Sequence, residues 1–218
     1  KRIWVPDDDD WIRWGADFEL DEFNNVMPHI KTTDVALDIG AHVGIWSTRL
    51  AERFKRIIAF EPVPKHIECW KQNMLKFTNK GMTDKYHEWG NISKLETVAI
   101  SDVSGTGIMK VPNVTNSGMA SLDHEKKHGR WLQPGWDNFP EVEVETRSLD
   151  SFEFDQIDFI KIDVEHLELK VLQGAENTIR KHKPIMYIEI HDPEAYIFMK
   201  KLNLGYRIYY SHGMNRLY

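Results

Sequence analysis

The 218-residue sequence contains a single cysteine, Cys69. One thiol cannot close an intrachain disulfide, so a disulfide-stapled scaffold is excluded and a reducing compartment is implied. Long apolar runs are also missing, and no stretch approaches the roughly 18 residues that a membrane-spanning helix needs. The opening residues, Lys1 to Pro6 and then Asp7 to Asp10, have no apolar signal core, so the expected location is cytoplasmic. The first residue is Lys1 rather than Met, as in a piece cut from a longer chain. Positive charge is in deficit: 28 Lys and Arg against 34 Asp and Glu give a net charge of −6. Without a basic block the chain is a poor partner for duplex nucleic acid, because phosphate contacts need clustered cations. Asp7 to Asp10 do not make up a metal site, since adjacent carboxylates in a loop repel one another and stay solvated.

What is present is a globular balance, 41% hydrophobic and 28% charged. Short apolar runs read as strands over residues 35–40, 56–60, 95–100, 107–111, 142–146, 157–162, 185–190, 206–210 and 214–218. Helical periodicity covers residues 11–30, 45–54, 64–79, 165–181 and 193–203. Strands alternating with helices imply right-handed crossovers and a mostly parallel sheet. The last two strands have no helix between them and imply an antiparallel edge. Residues 112–140, rich in Asn, Gly, Pro, His and Trp, read as an insertion.

Ligands of open α/β sheets sit beyond the carboxyl ends of the strands. After the first strand comes Asp38-Ile39-Gly40-Ala41-His42-Val43-Gly44, a turn whose glycines let backbone approach a ligand closely. After the second comes Glu61, an acid spaced to hydrogen-bond a ribose diol. A dinucleotide fingerprint needs Gly at 42 and 45, where the chain has His42 and Ile45. Asp38 stands where a pyrophosphate would lie, and an anion suits a sulfonium with an amino-acid tail better. The ligand expected is S-adenosylmethionine.

These residues, with Phe60-Glu61-Pro62, Ser148-Leu149-Asp150, Ile160 to Glu168, Val171 to Ala175 and Glu189, resemble the FkbM family of S-adenosylmethionine-dependent methyltransferases. The resemblance implies an α/β, Rossmann-like class I methyltransferase fold, a seven-stranded, mostly parallel sheet with its last strand antiparallel. An N-terminal helical cap (1–31) would precede a methyltransferase domain (32–218) that carries 112–140 between strands 3 and 4 as a substrate lid. It implies methyl transfer to a hydroxyl of a sugar or other natural-product acceptor, leaving S-adenosylhomocysteine, with an RNA-modifying methyltransferase or a non-catalytic S-adenosylmethionine-binding protein as the alternative readings. By the same resemblance Asp38, Gly40, Ala41, His42 and Gly44 hold the methionine end. Glu61, followed by Pro62, holds the ribose, and Ser101 and Asp102 lie near adenine. The chain has His42 where the family commonly has Asn, and His166 where it commonly has Gly, a residue free to take φ > 0.

A hydroxyl acceptor calls for a general base near neutral pKa. His191 or Asp163 is expected in that role, with Glu165 orienting the acceptor. No metal is expected. The chain also holds eight Trp and ten His. Trp4, Trp11, Trp14, Trp131, Trp136, His124 and His128 fall in the N-terminal segment and the insertion, which are expected to flank the acceptor pocket.

Overall fold

Five consecutive buried residues, Val35–Ile39, form β1 in the middle of the sheet. The computed structural model describes residues 3–7, 17–79, 93–112, 117–122 and 138–218. Strands covered on both faces are continuous buried runs rather than alternating ones. That holds for β1 and, with a half-buried end or two, for β2 (Arg56–Phe60), β7 (Phe159–Ile162) and β8 (Ile185–Glu189). Asp38 and Lys161 break the apolar runs of β1 and β7 and stand opposite each other in the ladder.

Seven strands join in the order β3-β2-β1-β7-β8-β10-β9, where β3 is Ser93–Glu96, β9 Tyr210–His212 and β10 Asn215–Leu217. The first five are parallel, and β10 runs antiparallel to both neighbours. This is the expected class I methyltransferase sheet. Alternation along the strands sends side chains to two cores. Ala36, Ile57, Phe159 and Tyr187 pack with Trp46, Leu50 and Phe54 beneath α2 (Ile45–Leu50) and α3 (Pro64–Asn79). Leu37, Ile39, Ile160 and Ile162 pack with Val171, Leu172, Ile179 and Met199 beneath α4 (Glu168–Gly174), α5 (Glu176–His182) and α6 (Pro193–Lys201).

The structure differs from the sequence expectation in four places. The strand expected over 95–100 is two: β3 stays in the large sheet, and Ala99–Ile100 (β4) joins a second sheet with β5 (Gly105–Lys110) and β6 (Glu141–Arg147). The last two strands form the antiparallel edge as expected, but the strand expected over 206–210 begins only at Tyr210, in β9. The helix expected over 165–181 starts only at Glu168, because Glu165 and His166 turn left-handed ahead of it, and it breaks at Ala175, which leaves the helical region at φ −113°. The helix expected over 11–30 is α1 (Leu20–Val26) followed by a 3-10 turn, Met27–His29, that contains Pro28; residues 11–16 lie outside the described residues. No helix among the described residues is long and apolar enough to cross a membrane.

Candidate active site

The carboxyl ends of β1 and β2 are tied together by one carboxylate. Gly40 and Ala41 both donate their N–H groups to the Phe60 carbonyl, at 3.1 and 3.0 Å. Glu61 Oε2 accepts from the His42 N–H at 2.9 Å, while Oε1 accepts from the Val63 N–H at 2.9 Å and lies 3.1 Å from His66 Nδ1. Gly40 sits at φ +78°, and a Cβ there would fall 1.8 Å from the Asp163 carbonyl oxygen. Only glycine lets the first turn lie this close to the loop after β7.

Asp38 and Gly44 work from below this turn. Asp38 is fully buried, and its Oδ2 accepts from Ser47 Oγ at 2.6 Å, which in turn accepts from Trp70 Nε1 at 2.8 Å. Gly44 lies at φ +88°, where a Cβ would strike Trp70 Cδ1 at 2.7 Å. Burial pushes the Asp38 carboxyl up, against the pull of Lys161 and Ser47.

Two adjoining chambers open over the strand ends. The inner one has apolar walls from Ile39, Phe60, Val98, Ile100 and Leu167, together with Glu61, Pro62, His42 and His66. The outer one is lined by Phe18, Glu19, Ala41, Trp46, Lys161 and Glu189, among others. Gly40, His42, Gly118, Asp163 and Glu165 border both. Part of the insertion roofs the junction: Ser117 Oγ lies 3.1 Å from His42 Nε2, and Ser121 Oγ donates to the Glu165 carbonyl at 2.7 Å.

The charges at the junction are strongly coupled. Lys161, 5% exposed, donates to Asp163 Oδ2 at 2.9 Å. Burial alone would lower the Lys161 ammonium, but Asp163, Asp38 and Glu19 together raise it. Burial acts on Asp163 in the opposite sense, and Lys161 with a hydrogen bond from Glu189 keeps it low, so Asp163 stays ionised. Two neighbours take the consequence. Burial, then the charge of Asp163, pushes Glu165 to about 8 and Glu189 to about 10. Glu19, which accepts from Trp46 Nε1 at 2.7 Å, is also raised by burial.

His191 stands behind this group. Its Nδ1 is 3.4 Å from Glu168 Oε1 and its Nε2 3.8 Å from Glu189 Oε1. Burial lowers the imidazole, but Glu168 and the nearby carboxylates outweigh it and the net shift is upward. Carboxylate oxygens of Asp163, Glu165 and Glu189 lie within 4.8 Å of one another, as do ligand atoms of Glu165, His166 and His191.

Of the residues expected to hold a cofactor, Gly40, Ala41, His42, Glu61 and Pro62 border the chambers. Asp38, Gly44, Ser101 and Asp102 do not. The inner wall near β4 is Val98, Ala99 and Ile100, while Ser101 is packed under α4, its carbonyl oxygen 2.0 Å from where a Gly174 Cβ would be. Of the residues expected to catalyse, Asp163 and Glu165 border both chambers and His191 borders neither. Sequence reasoning missed Glu19 and Trp46, which carry no local signal and reach the outer chamber only through packing of α1 on α2. It also missed His66, one turn into α3. Trp4 is 52% exposed and lines neither chamber, its backbone held by Asn73. Trp11, Trp14, Trp131, Trp136, His124 and His128 lie outside the described residues.

A family model, the methyltransferase FkbM domain, matches residues 38–208. The chain is similar in structure to methyltransferase FkbM from Methylobacillus flagellatus KT, at 18% identity and a TM-score of 0.55, over 88% of this chain and 45% of that one. It thus spans less than half of that protein's length. A weaker likeness, at 14% identity and a TM-score of 0.44, covers 85% of this chain and 71% of precorrin-6y C5,15-methyltransferase from Geobacter metallireducens GS-15. Another, at 15% identity and a TM-score of 0.43, covers 92% of this chain and 36% of a Pyrococcus abyssi tRNA (uracil-54, C5)-methyltransferase solved with S-adenosylhomocysteine. No curated protein matches the chain.

Proposed function

The chain belongs to the FkbM methyltransferase family, and from that premise we propose that it methylates a hydroxyl of a sugar or other small-molecule acceptor, with S-adenosylmethionine as donor. When bound, this cofactor supplies a methyl group on a sulfonium, already activated for displacement. The inner chamber suits its nucleoside half: apolar walls for a flat base and Glu61, whose Oε2 accepts one N–H among the described residues and can accept a hydroxyl as well. Gly40, Ala41 and His42 border both chambers or the outer one, where the amino-acid half would extend.

The observation that carries the reading is Glu165. It borders both chambers and its carboxyl is pushed to about 8. Once ionised, a group of that proton affinity is a stronger base toward a hydroxyl proton than an ordinary carboxylate, and its ionised fraction grows as pH approaches 8. Asp163 is the weaker candidate because Lys161 keeps it ionised and little inclined to accept a proton. His191, held against Glu168 outside the chambers, serves better to position Glu189 and Glu165. Asp163 and Glu189 then orient the acceptor. Glu19, Asp163, Glu165 and Glu189 line the outer chamber together with Lys161, a setting suited to a polyol rather than to an RNA phosphate backbone.

The test has two arms. Methyl-labelled S-adenosylmethionine is incubated with the chain and a panel of sugars, nucleotide sugars and lipids, and label transfer is followed by mass spectrometry. Calorimetry compares S-adenosylhomocysteine with NADH. Acceptor-dependent label transfer and binding of S-adenosylhomocysteine are expected. Tight binding of NADH without S-adenosylhomocysteine would overturn the reading.

A further inference from the structure

His66 is 1% exposed, lines the inner chamber, and has a ring nitrogen, Nε2, with no hydrogen-bond partner among the described residues. Its other nitrogen is committed. Nδ1 lies 3.1 Å from Glu61 Oε1, which also accepts from the Val63 N–H. A carboxylate oxygen receiving these bonds can only accept, so the ring proton sits on Nδ1. Nε2 of the neutral ring is therefore a buried lone pair. A buried polar atom without a partner is costly, and native proteins rarely leave one unless something else supplies the bond. His42 packs edge-on against the ring, with centroids 4.2 Å apart, and fixes its plane.

Glu61 shows the complementary lack. Among the described residues, Oε1 has two protein donors, whereas Oε2 has only the His42 N–H. A carboxylate oxygen able to take one more donor, and a histidine nitrogen needing a partner, thus belong to side chains already bonded to each other. We infer that Glu61 and His66 read the two hydroxyls of a nucleoside cis-diol as a pair, one hydroxyl donating to Glu61 Oε2 and the other bonding His66 Nε2. A hydroxyl donates to this lone pair, whereas a ring nitrogen of the base can only accept; an exocyclic amine also donates, and comparison with a dideoxy ligand separates the two. His66 is a positioning and specificity residue, selecting ribonucleosides over their deoxy counterparts. The inference rests on the cofactor reading above and concerns the same site.

Isothermal titration of the full chain with S-adenosylhomocysteine and with its 2′,3′-dideoxy analogue tests this. Wild type and His66→Asn are compared, the Asn side-chain amide keeping a donor for Glu61 near the Nδ1 position while Nε2 is removed. The expected result is a roughly tenfold loss of S-adenosylhomocysteine affinity in the variant, the size of one hydrogen bond, with no loss for the dideoxy analogue. An equal loss for both ligands, or none for either, overturns the inference. Should the variant not fold, the His66 Nε2 nitrogen resonance of wild type decides. It is expected to shift with S-adenosylhomocysteine and not with the dideoxy analogue, and identical responses overturn the proposal. Absence of any S-adenosylhomocysteine binding to wild type strikes the cofactor reading itself, a failure visible before any variant is made.

Discussion

Glu165 combines two unusual properties, a left-handed backbone at φ 48° and a carboxyl pushed to about 8. Its neighbour His166 is also left-handed, at φ 73°, and the Glu165 carbonyl is held by Ser121. Non-glycine residues in this region cost roughly 1–2 kcal/mol each, and such strain concentrates where side-chain placement matters. If Glu165 is the base, Glu165→Gln should lower kcat by about 100-fold with a small change in KM. The wild-type log(kcat/KM) should rise with pH and level off above about 8, where the Glu165 carboxyl of the free protein loses its proton. The variant should lose that limb. Initial rates from pH 6 to pH 9, with the acceptor found by label transfer, measure both. Gly40 is the second residue on which the site depends. Gly40→Ala combines a left-handed φ with a methyl 1.8 Å from the Asp163 carbonyl. It should destabilise the protein by about 3 kcal/mol, from backbone strain and overpacking together, read by urea unfolding. An unchanged midpoint would show that the loop after β7 can retreat.

The elements behind the site are held by side chains that the family pattern includes for structural reasons. Asp150 is the clearest. Its Oδ2 accepts from the Asn177 N–H at 3.0 Å, and its Oδ1 from the Thr178 N–H and Oγ1 at 2.7 Å each. It caps α5 from 27 residues away, satisfying N–H groups that the helix cannot satisfy itself. Asp150→Ala should cost about 1–2 kcal/mol and leave S-adenosylhomocysteine affinity unchanged. Thermal unfolding and calorimetry separate those outcomes, and a binding loss without a stability loss would place Asp150 in the site instead. Gly174 lies at the break between α4 and α5 for a related reason. A Cβ there would meet the Ser101 carbonyl oxygen at 2.0 Å, so α4 approaches the end of β4 only with glycine at this position.

Across the whole molecule, the buried carboxyls couple stability to pH. Glu189 and Glu165 hold their protons to about 10 and about 8 in the folded state, whereas an unfolded glutamate releases its proton near 4.3. The unfolded state therefore binds fewer protons through this interval, and stability falls as pH rises. The raised His191 works in the same sense, with its contribution lost as pH climbs through its folded value. Wild-type Tm should decline from pH 5 to pH 9. Glu189→Gln keeps a donor for Asp163 and cannot ionise, so it should raise Tm at pH 9 by roughly 5 °C and barely alter it at pH 5. A variant curve parallel to wild type would show that Glu189 ionises freely. The same cluster gives the outer chamber its acidic lining, and the net charge of −6 has the same sign.

The sheet was legible in the sequence because a strand buried on both faces must be a short apolar run, and Val35–Ile39, Arg56–Phe60 and Ile185–Glu189 are such runs. The turn at Gly40 and Gly44 was legible too, because left-handed backbone and close approach select glycine locally. Other features were not local. That Leu95 and Ile100 belong to different sheets depends on which neighbour each can pair with. That His191 stands behind the chambers and Glu165 borders them depends on two left-handed residues, of which only His166 was signalled, by the glycine that the family commonly has there. Glu19 and His66 reach the site through packing between distant elements. The sequence by itself determined the fold class, the family and the loops that carry the site, since burial and backbone geometry leave a residue-by-residue pattern. Only the tertiary structure decided which carboxyls stay protonated and which ring nitrogen lacks a partner, because burial and charge coupling arise between residues far apart in the chain.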